Sequence, residues 1–167
     1  MPELPTQITR TGIGYDVHQF AEGRDLVLGG VTIPHEVGLS GHSDADVLSH
    51  AIADAVLGAM GKPDIGFYFP PSDPAIEGIC SLDILAKAAR VIADDGGVLI
   101  NIDSTLIMEA PRVMPHASEM REKIAAALGI PAARIGIKAT TNETMGFVGR
   151  KEGIAALAVA SVLAPSS

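Results

Sequence analysis

An α/β or α+β fold follows from three patterns in the sequence. Val98 to Met108 alternates apolar and polar residues at the period of a half-buried strand. From Val47 to Val56 the apolar residues instead recur at helical spacing. Strand-like and helix-like stretches interleave along 167 residues with no internal repeat, low-complexity tract or Ser/Gly linker, so residues 1–167 are expected to form one domain.

Thr11 to Phe20 reads as an opening strand with polar residues at its far end. Leu26-Val27-Leu28 and Val31-Thr32-Ile33 flank Gly29-Gly30, which supplies the positive φ of a two-residue hairpin turn. Ser43, with Asp46 three places on, is the expected cap of the first helix. That helix continues through Val47, Leu48, Ala51, Ile52, Ala55 and Val56 and stops near Gly58 or Gly61. Asp64 to Pro74, with its glycine, prolines and aspartates, is expected as a loop. Ser81 starts a second helix that buries Leu82, Leu85, Ala89 and Ile92. In the strand that follows, Val98, Ile100, Ile102, Leu106 and Met108 are assigned to one face, and Asn101, Asp103 and Glu109 to the other. A third helix spans Ala117 to Leu128, and Arg134 to Ala139 is a short strand. Gly153 to Leu163 is ambiguous, because its alanines favour helix and its Val and Ile favour strand.

Lys and Arg number 12 against 20 Asp and Glu, a formal net charge of -8, and no basic run is present. A nucleic-acid groove or an anionic membrane surface is therefore not expected as partner. Acidity does not exclude a phosphorylated substrate, because a bound divalent cation inverts the local potential. A single cysteine, Cys80, excludes an intramolecular disulfide scaffold and fits a reducing compartment. No basic stretch leads into an apolar run at the amino end, and Ile154 to Ala164 is too short to span a bilayer, so a soluble cytoplasmic protein is expected. A removed plastid transit peptide would leave no trace here, and no fused partner domain is expected. With aromatics at 4% and no tryptophan, the core must be built from Ala, Val, Ile and Leu, which leaves room for stabilisation at a subunit interface.

Three groups of residues carry chemistry. Asp16-Val17-His18 in an extended segment points a carboxylate and an imidazole to one side. His50 shares a helical stripe with Asp46 and Asp54, and either aspartate is placed to hold its second nitrogen. Asp16, His18 and His50 make a reasonable zinc set with a fourth position left for water or a phosphate oxygen, although Asp-x-His alone is weak and a helical histidine is more often structural. His35 and His116 sit near prolines and read as surface or local hydrogen-bonding groups. Gly41-His42-Ser43-Asp44 lies where a turn enters the helix, where free N–H groups suit an anion, and Ser43 as a plain cap is at least as good a reading. Lys138-Ala139-Thr140-Thr141-Asn142-Glu143, followed by Gly146-Phe147-Val148-Gly149-Arg150, suits phosphate near a strand end, with Glu143 able to hold a magnesium-like ion. Its glycines match neither a P-loop nor a dinucleotide fingerprint.

Taken together the motifs resemble the 2-C-methyl-D-erythritol 2,4-cyclodiphosphate synthase family. The resemblance is carried by Gly12-Ile13-Gly14-Tyr15-Asp16-Val17-His18, Gly41-His42-Ser43-Asp44-Ala45-Asp46-Val47-Leu48, His50-Ala51-Ile52 and Asp54-Ala55. It continues through Asp64-Ile65-Gly66, Phe69-Pro70, Asp73, Glu109-Ala110-Pro111, Lys138-Ala139-Thr140-Thr141, Glu143, Gly146-Phe147, Gly149-Arg150 and Glu152-Gly153-Ile154, so it covers about residues 10 to 163. It implies a small α/β domain with a mixed sheet packed against helices, a homotrimer with active sites between subunits, and a strand for the ambiguous last run. The implied enzyme is a phosphorus–oxygen lyase of non-mevalonate isoprenoid synthesis. It converts 4-diphosphocytidyl-2-C-methyl-D-erythritol 2-phosphate to the 2,4-cyclodiphosphate and CMP.

Carried over residue by residue, the resemblance makes Asp16, His18 and His50 the ligands of one zinc per active site, and Glu143 the ligand of a second ion, magnesium or manganese. His42 and Ser43 would contact substrate phosphate, Asp64 and Gly66 the methylerythritol part, and Ala139, Thr140 and Thr141 the cytidine diphosphate. Phe69 and Asp73 belong to a segment over the substrate. Arg150, also a substrate-side candidate, resembles with Glu152 a residue near the trimer axis, where an isoprenoid diphosphate is a possible occupant of an axial cavity. Arg112 and Pro71 depart from common family forms, which have a lysine and an acidic residue there. Two other readings stay open: a metal-dependent phosphohydrolase at the same zinc, and a structural or isoprenoid-binding trimer with a vestigial site.

Overall fold

The structure is a computed structural model and describes residues 6–166. Strand β1 runs from Gln7 to Ala21, followed by the short strands β2 (Leu26–Leu28), β3 (Val31–Ile33) and β4 (Gly38–Leu39). Helix α1 spans Val47–Ala59, α2 Ile65–Tyr68 and α3 Ser81–Asp94. Then come β5 (Val98–Ile107), α4 (Ala117–Leu128), β6 (Ile135–Thr140), α5 (Gly146–Gly149) and β7 (Gly153–Pro165).

Five strands form a mixed sheet in the order β4-β1-β7-β5-β6, in which β5 and β6 are parallel and the other neighbours antiparallel. The ambiguous last run is thus a strand. It pairs with β1 on one side and β5 on the other, and this central position overrides alanine's preference for helix. Helix α1 lies on β1 and β7, and α3 packs between α1 and α4, so the helices form one layer on the sheet. The core between the layers is aliphatic, with Leu48, Ile52, Leu85, Ile102, Leu106 and Ile124 all buried.

Layer spacing is set at β1. Gly12 and Gly14 face α1 so closely that an added Cβ would lie 2.0 Å from the Ala55 carbonyl oxygen at Gly12 and 1.9 Å from that of Ala51 at Gly14. Only glycine admits this approach. Alternation along the strand then puts Asp16 and His18 on the same helix-facing side, while Ile13, Tyr15 and Val17 face away.

Most elements lie where the sequence places them, and the differences have local causes. The hairpin turns at Gly29 and Gly30 with φ of 58° and 73°, as expected. The cap of α1 is Asp46 rather than Ser43, because its carboxylate accepts the Ser49 N–H at 3.0 Å. Asp64 to Pro74 is not all loop, since it contains α2 and leads into a short 3₁₀ turn at Pro74–Ile76. Helix α3 buries Ile84, Leu85, Ala88 and Ile92, a face rotated from the expected one, with Leu82 and Ala89 only partly covered. In β5 the register shifts between Leu99 and Asn101. That bulge turns Leu99 inward and leaves Val98 and Ile100 exposed, so the single apolar face expected from Val98 to Met108 holds only from Ile102 onward.

The glycine contacts give a paired expectation. Gly14→Ala should lower unfolding free energy by about 3 kcal/mol or more, since the clash is with backbone that cannot yield. Gly58→Ala sits in α1 with nothing closer than 3.8 Å to the new methyl, and should raise stability by about 0.5–1 kcal/mol. Urea denaturation of both variants checks the pair; equal effects would contradict the close-approach argument.

Candidate metal centre and cavity

Asp16 and His18 reach the helix-facing side of β1 near its end, and His50 projects from the first turn of α1 toward them. Asp16 Oδ2 lies 2.9 Å from His18 Nε2 and 3.0 Å from His50 Nδ1, and the two nitrogens are 3.2 Å apart. These three atoms are the one group of potential metal ligands found among the described residues. A tetrahedral ion with bonds of about 2.0–2.1 Å needs ligand edges of roughly 3.3–3.4 Å, so the triangle accepts zinc with movements of a few tenths of an ångström. His18 Nδ1 donates to the Ser40 carbonyl at 2.5 Å, so its Nε2 presents a lone pair to the centre in the neutral form. The donor set and its spacing fit a divalent cation.

Without a cation, a proton must hold these groups together. Burial pushes the Asp16 carboxyl up, but hydrogen bonds and charge from His18 and His50 overcome it and hold it at about 2. Burial likewise opposes charge on His18, whereas the Asp16 carboxylate and the Ser40 carbonyl carry its net value above the ordinary imidazole range.

The second nitrogen of His50 is not held by Asp46 or Asp54. Asp46 is fully buried and committed elsewhere: Oδ1 caps α1, while Oδ2 accepts from Ser49 Oγ at 2.8 Å and from the Gly30 N–H at 2.7 Å. Asp54 accepts the Ile65 N–H at 2.9 Å and so ties α2 to α1. His50 Nε2 instead meets Ser81 Oγ at 2.9 Å and Ser43 Oγ at 3.2 Å. Ser81 was expected only as a helix start.

The triad forms part of a cavity of about 200 Å³, with His42, Ser43, Gly66 and Phe69 on its wall and Ile65, Ile76, Ile79 and Ile84 as apolar lining. Free N–H groups were expected on the turn before α1, but three of them are taken: Asp44 N–H donates to the Ile79 carbonyl, Ala45 N–H to Ser43 Oγ and Asp46 N–H to Asp44. Side chains of His42 and Ser43 are what that turn offers to the cavity. Arg24, which no motif marks, braces the turn by donating to the Gly41 and Ser43 carbonyls at 2.6 and 2.5 Å.

Ala139, Thr140 and Thr141 line a separate, larger cavity of about 370 Å³ with Glu109, Arg112 and Met114. Glu143 stands beside it, its carboxylate accepting from Thr141 Oγ1 at 3.1 Å. Glu143 and Thr144 both have positive φ, 50° and 62°, which is costly for side-chain-bearing residues. Glu109 holds that turn by accepting the Asn142 and Thr144 N–H groups at 2.9 and 3.3 Å, a role that its place in a matching motif did not reveal. Asp64, Asp73 and Arg150 line neither cavity: Asp73 caps the 3₁₀ turn through the Ala75 N–H, and Arg150 pairs with Glu152 at 2.7 Å on the surface. Lys138 is likewise paired, with Asp103 at 2.6 Å.

Residues 9–163 match the YgbB family. The chain is 59% identical over 163 residues to a 2-C-methyl-D-erythritol 2,4-cyclodiphosphate synthase of Akkermansia muciniphila, covering 97% of this chain and 96% of that one. Among solved structures it resembles the bifunctional IspDF of Campylobacter jejuni, at 41% identity and a TM-score of 0.92, over 96% of this chain and 43% of that one. It also resembles IspF of Plasmodium falciparum in complex with CDP, at 32% identity and a TM-score of 0.80, over 95% and 97%.

A pH series on metal-free protein tests the charges at the triad. Asp16 has a folded value below its unfolded 3.8, so its stabilising contribution is complete above pH 3.8 and is lost as the pH falls through about 2. His18, raised from 6.5, contributes fully below 6.5 and loses that contribution as the pH rises through its folded value. The stability difference between wild type and Asp16→Asn should therefore be largest between pH 3.8 and 6.5 and shrink on either side; a difference independent of pH would contradict the pairing.

Proposed function

The chain belongs to the YgbB family, and on that premise we propose that it converts 4-diphosphocytidyl-2-C-methyl-D-erythritol 2-phosphate to 2-C-methyl-D-erythritol 2,4-cyclodiphosphate and CMP. The observation that carries this reading is the near full-length, 59% identity to a synthase of that name, in a chain whose cavity also holds a metal-competent triad.

In this reaction an oxygen of the substrate's 2-phosphate forms a bond to its own β-phosphorus. The bond from that phosphorus to the oxygen bridging toward the α-phosphate breaks, and CMP leaves with the electron pair. No enzyme nucleophile and no water is consumed, so the protein's task is to hold one molecule in attack geometry. Asp16, His18 and His50 hold the proposed zinc, which when bound supplies Lewis-acid polarisation of a phosphate oxygen. Ser43 Oγ accepts from the Ala45 N–H, leaving its hydroxyl proton to donate to a phosphate in the cavity, and the His42 imidazole is a second donor beside it. The wall of Ile65, Phe69, Ile76, Ile79 and Ile84 excludes water, which favours internal attack over hydrolysis. Glu143, an exposed carboxylate, would hold a magnesium-type ion, which would neutralise phosphate charge.

A homotrimer with sites between subunits is part of the same proposal. Two features support it: the triad and the Ala139–Thr141 segment line different cavities of one chain, and the outer sheet face is apolar and uncovered. On that face Ile13 pairs with Val159 and Tyr15 with Leu157, and Ile13 is 71% exposed. In the assembly the nucleotide would occupy the Ala139–Thr141 cavity of one copy and the reacting phosphates the triad cavity of the next.

Incubation of zinc- and magnesium-replete protein with the substrate, followed by ³¹P NMR, should give CMP and cyclic diphosphate in equal amounts. Linear hydrolysed phosphates would favour a phosphohydrolase instead. His50→Ala should lower turnover on the order of 10²-fold or more, and unchanged turnover would remove its proposed role. Separately, sedimentation should give a trimer, and Tyr15→Glu with Leu157→Glu should dissociate it; a double variant still trimeric would place the interface elsewhere.

A further inference from the structure

Two consecutive residues of the turn after β6 sit where side-chain-bearing residues rarely go. Glu143 has a φ of 50° and Thr144 a φ of 62°, and for a β-branched residue such as Thr144 that is an outlier. Such a conformation persists only when its surroundings over-determine it. The turn closes on itself in part: the Asn142 side-chain amide donates to the Met145 carbonyl at 2.8 Å, and the Met145 N–H returns to the Asn142 carbonyl at 2.9 Å. From the other side Gly149 lies against Thr144 so closely that an added Cβ would come within 2.0 Å of the Thr144 carbonyl carbon. A further hold comes from Glu109, 33 positions before Asn142.

Glu109 follows the end of β5, where the Met108 N–H donates to the Thr140 carbonyl at 2.9 Å and fixes the root of the Glu109 side chain. One oxygen of its carboxylate accepts the Asn142 N–H at 2.9 Å and the Thr144 N–H at 3.3 Å, the donors on either side of Glu143. Donors of a turn that converge on one point make an anion-binding concavity, here filled by the protein's own carboxylate. Thr141 completes the clamp, since its hydroxyl donates to the Glu143 carboxylate at 3.1 Å. The Glu143 side chain is thereby held, still exposed, beside the cavity lined by Ala139, Thr140 and Thr141.

We propose that Glu109 is a positioning residue for the second ion: by accepting the N–H groups on both sides of Glu143 it holds that residue in the left-handed conformation and fixes its carboxylate in place. The inference rests on the reading of Glu143 as the ligand of a magnesium-type ion. Glu109 acts through the backbone of residues 142–144 and not as a ligand. A lone exposed carboxylate on a loose backbone would spend binding energy on its own ordering, so fixing that backbone beforehand raises ion affinity.

Two substitutions separate this role from ligation. In Glu109→Gln the amide oxygen has two lone pairs and still accepts both N–H groups, whereas the negative charge is gone. Glu109→Ala removes the acceptor altogether.

Mn²⁺ titration of zinc-loaded protein saturated with CDP, followed by electron paramagnetic resonance, reads the ion, and crystal structures of the variants read φ. Glu109→Ala should weaken Mn²⁺ binding about 10–100-fold while the zinc Kd stays within about twofold, and Glu143 and Thr144 should leave the positive-φ region. Glu109→Gln should keep the turn and bind Mn²⁺ within about threefold of wild type. An alanine variant with turn and Mn²⁺ affinity intact would overturn the proposal. Equal losses in both variants would overturn it too, because they would make Glu109 a ligand through its charge. Zinc and Mn²⁺ affinities that fall together in Glu109→Ala would reduce Glu109 to a support of the whole fold. A wild type that binds no Mn²⁺, with the turn lost in Glu109→Ala and kept in Glu109→Gln, would leave Glu109 as the support of the turn and remove Glu143 as an ion ligand instead.

Discussion

The contact on which the rest depends is the approach of α1 to β1 over Gly12 and Gly14. With no side chain between them, the helix backbone rests on the strand, and the next two residues on the same strand face, Asp16 and His18, arrive beside the first turn of that helix. His50 needs no loop to reach them. A metal-competent triangle with edges from 2.9 to 3.2 Å is therefore produced by two regular elements packed at a spacing only glycine allows. Sites built on such elements hold tighter geometry than sites built on loops.

Around that pair, the polar groups of neighbouring segments are spent on holding one another in place. Asp46 joins the start of α1 to the Gly29-Gly30 turn, Asp54 joins α1 to α2, Asp44 joins the turn before α1 to α3, and Arg24 braces the same turn from outside. Burial raises Asp46 and Asp54 above the ordinary carboxylate range, against the hydrogen bonds that stabilise their charged forms. Among the described residues no buried side-chain nitrogen or oxygen lacks a partner, so the network is complete. The chain's net charge of -8 does not exclude a phosphorylated ligand, because a cation held by Asp16, His18 and His50 would invert the local potential.

Features set by residues close together in the chain are legible in the sequence, and those set by distant residues are not. The hairpin, α1 and α4 follow from turn chemistry and helical period, both set by residues close together in the chain. Asp16 and His18 follow from alternation along one strand. The bulge in β5, which turns Val98 and Ile100 outward, leaves no mark on the apolar pattern and depends on pairing with β7. The final strand is undecidable from its alanines and is settled by two neighbours in the sheet. His50's partners were misassigned to Asp46 and Asp54 because helical spacing names only nearby residues, whereas the true contact, Ser81, lies 31 positions away. Glu109 and Asn142 are likewise 33 apart, so the support for the strained Glu143 turn has no local signature. A sequence motif names residues without saying which of them touch.

The most direct test of the central claim is anomalous X-ray diffraction at the zinc absorption edge on crystals of the zinc-loaded protein. One strong peak per chain is expected, within bonding distance of Asp16 Oδ2, His18 Nε2 and His50 Nδ1 together. A peak bonded through His50 Nε2, a peak at other residues, or no peak in protein shown to contain zinc would contradict the convergence of β1 and α1 on a single ion.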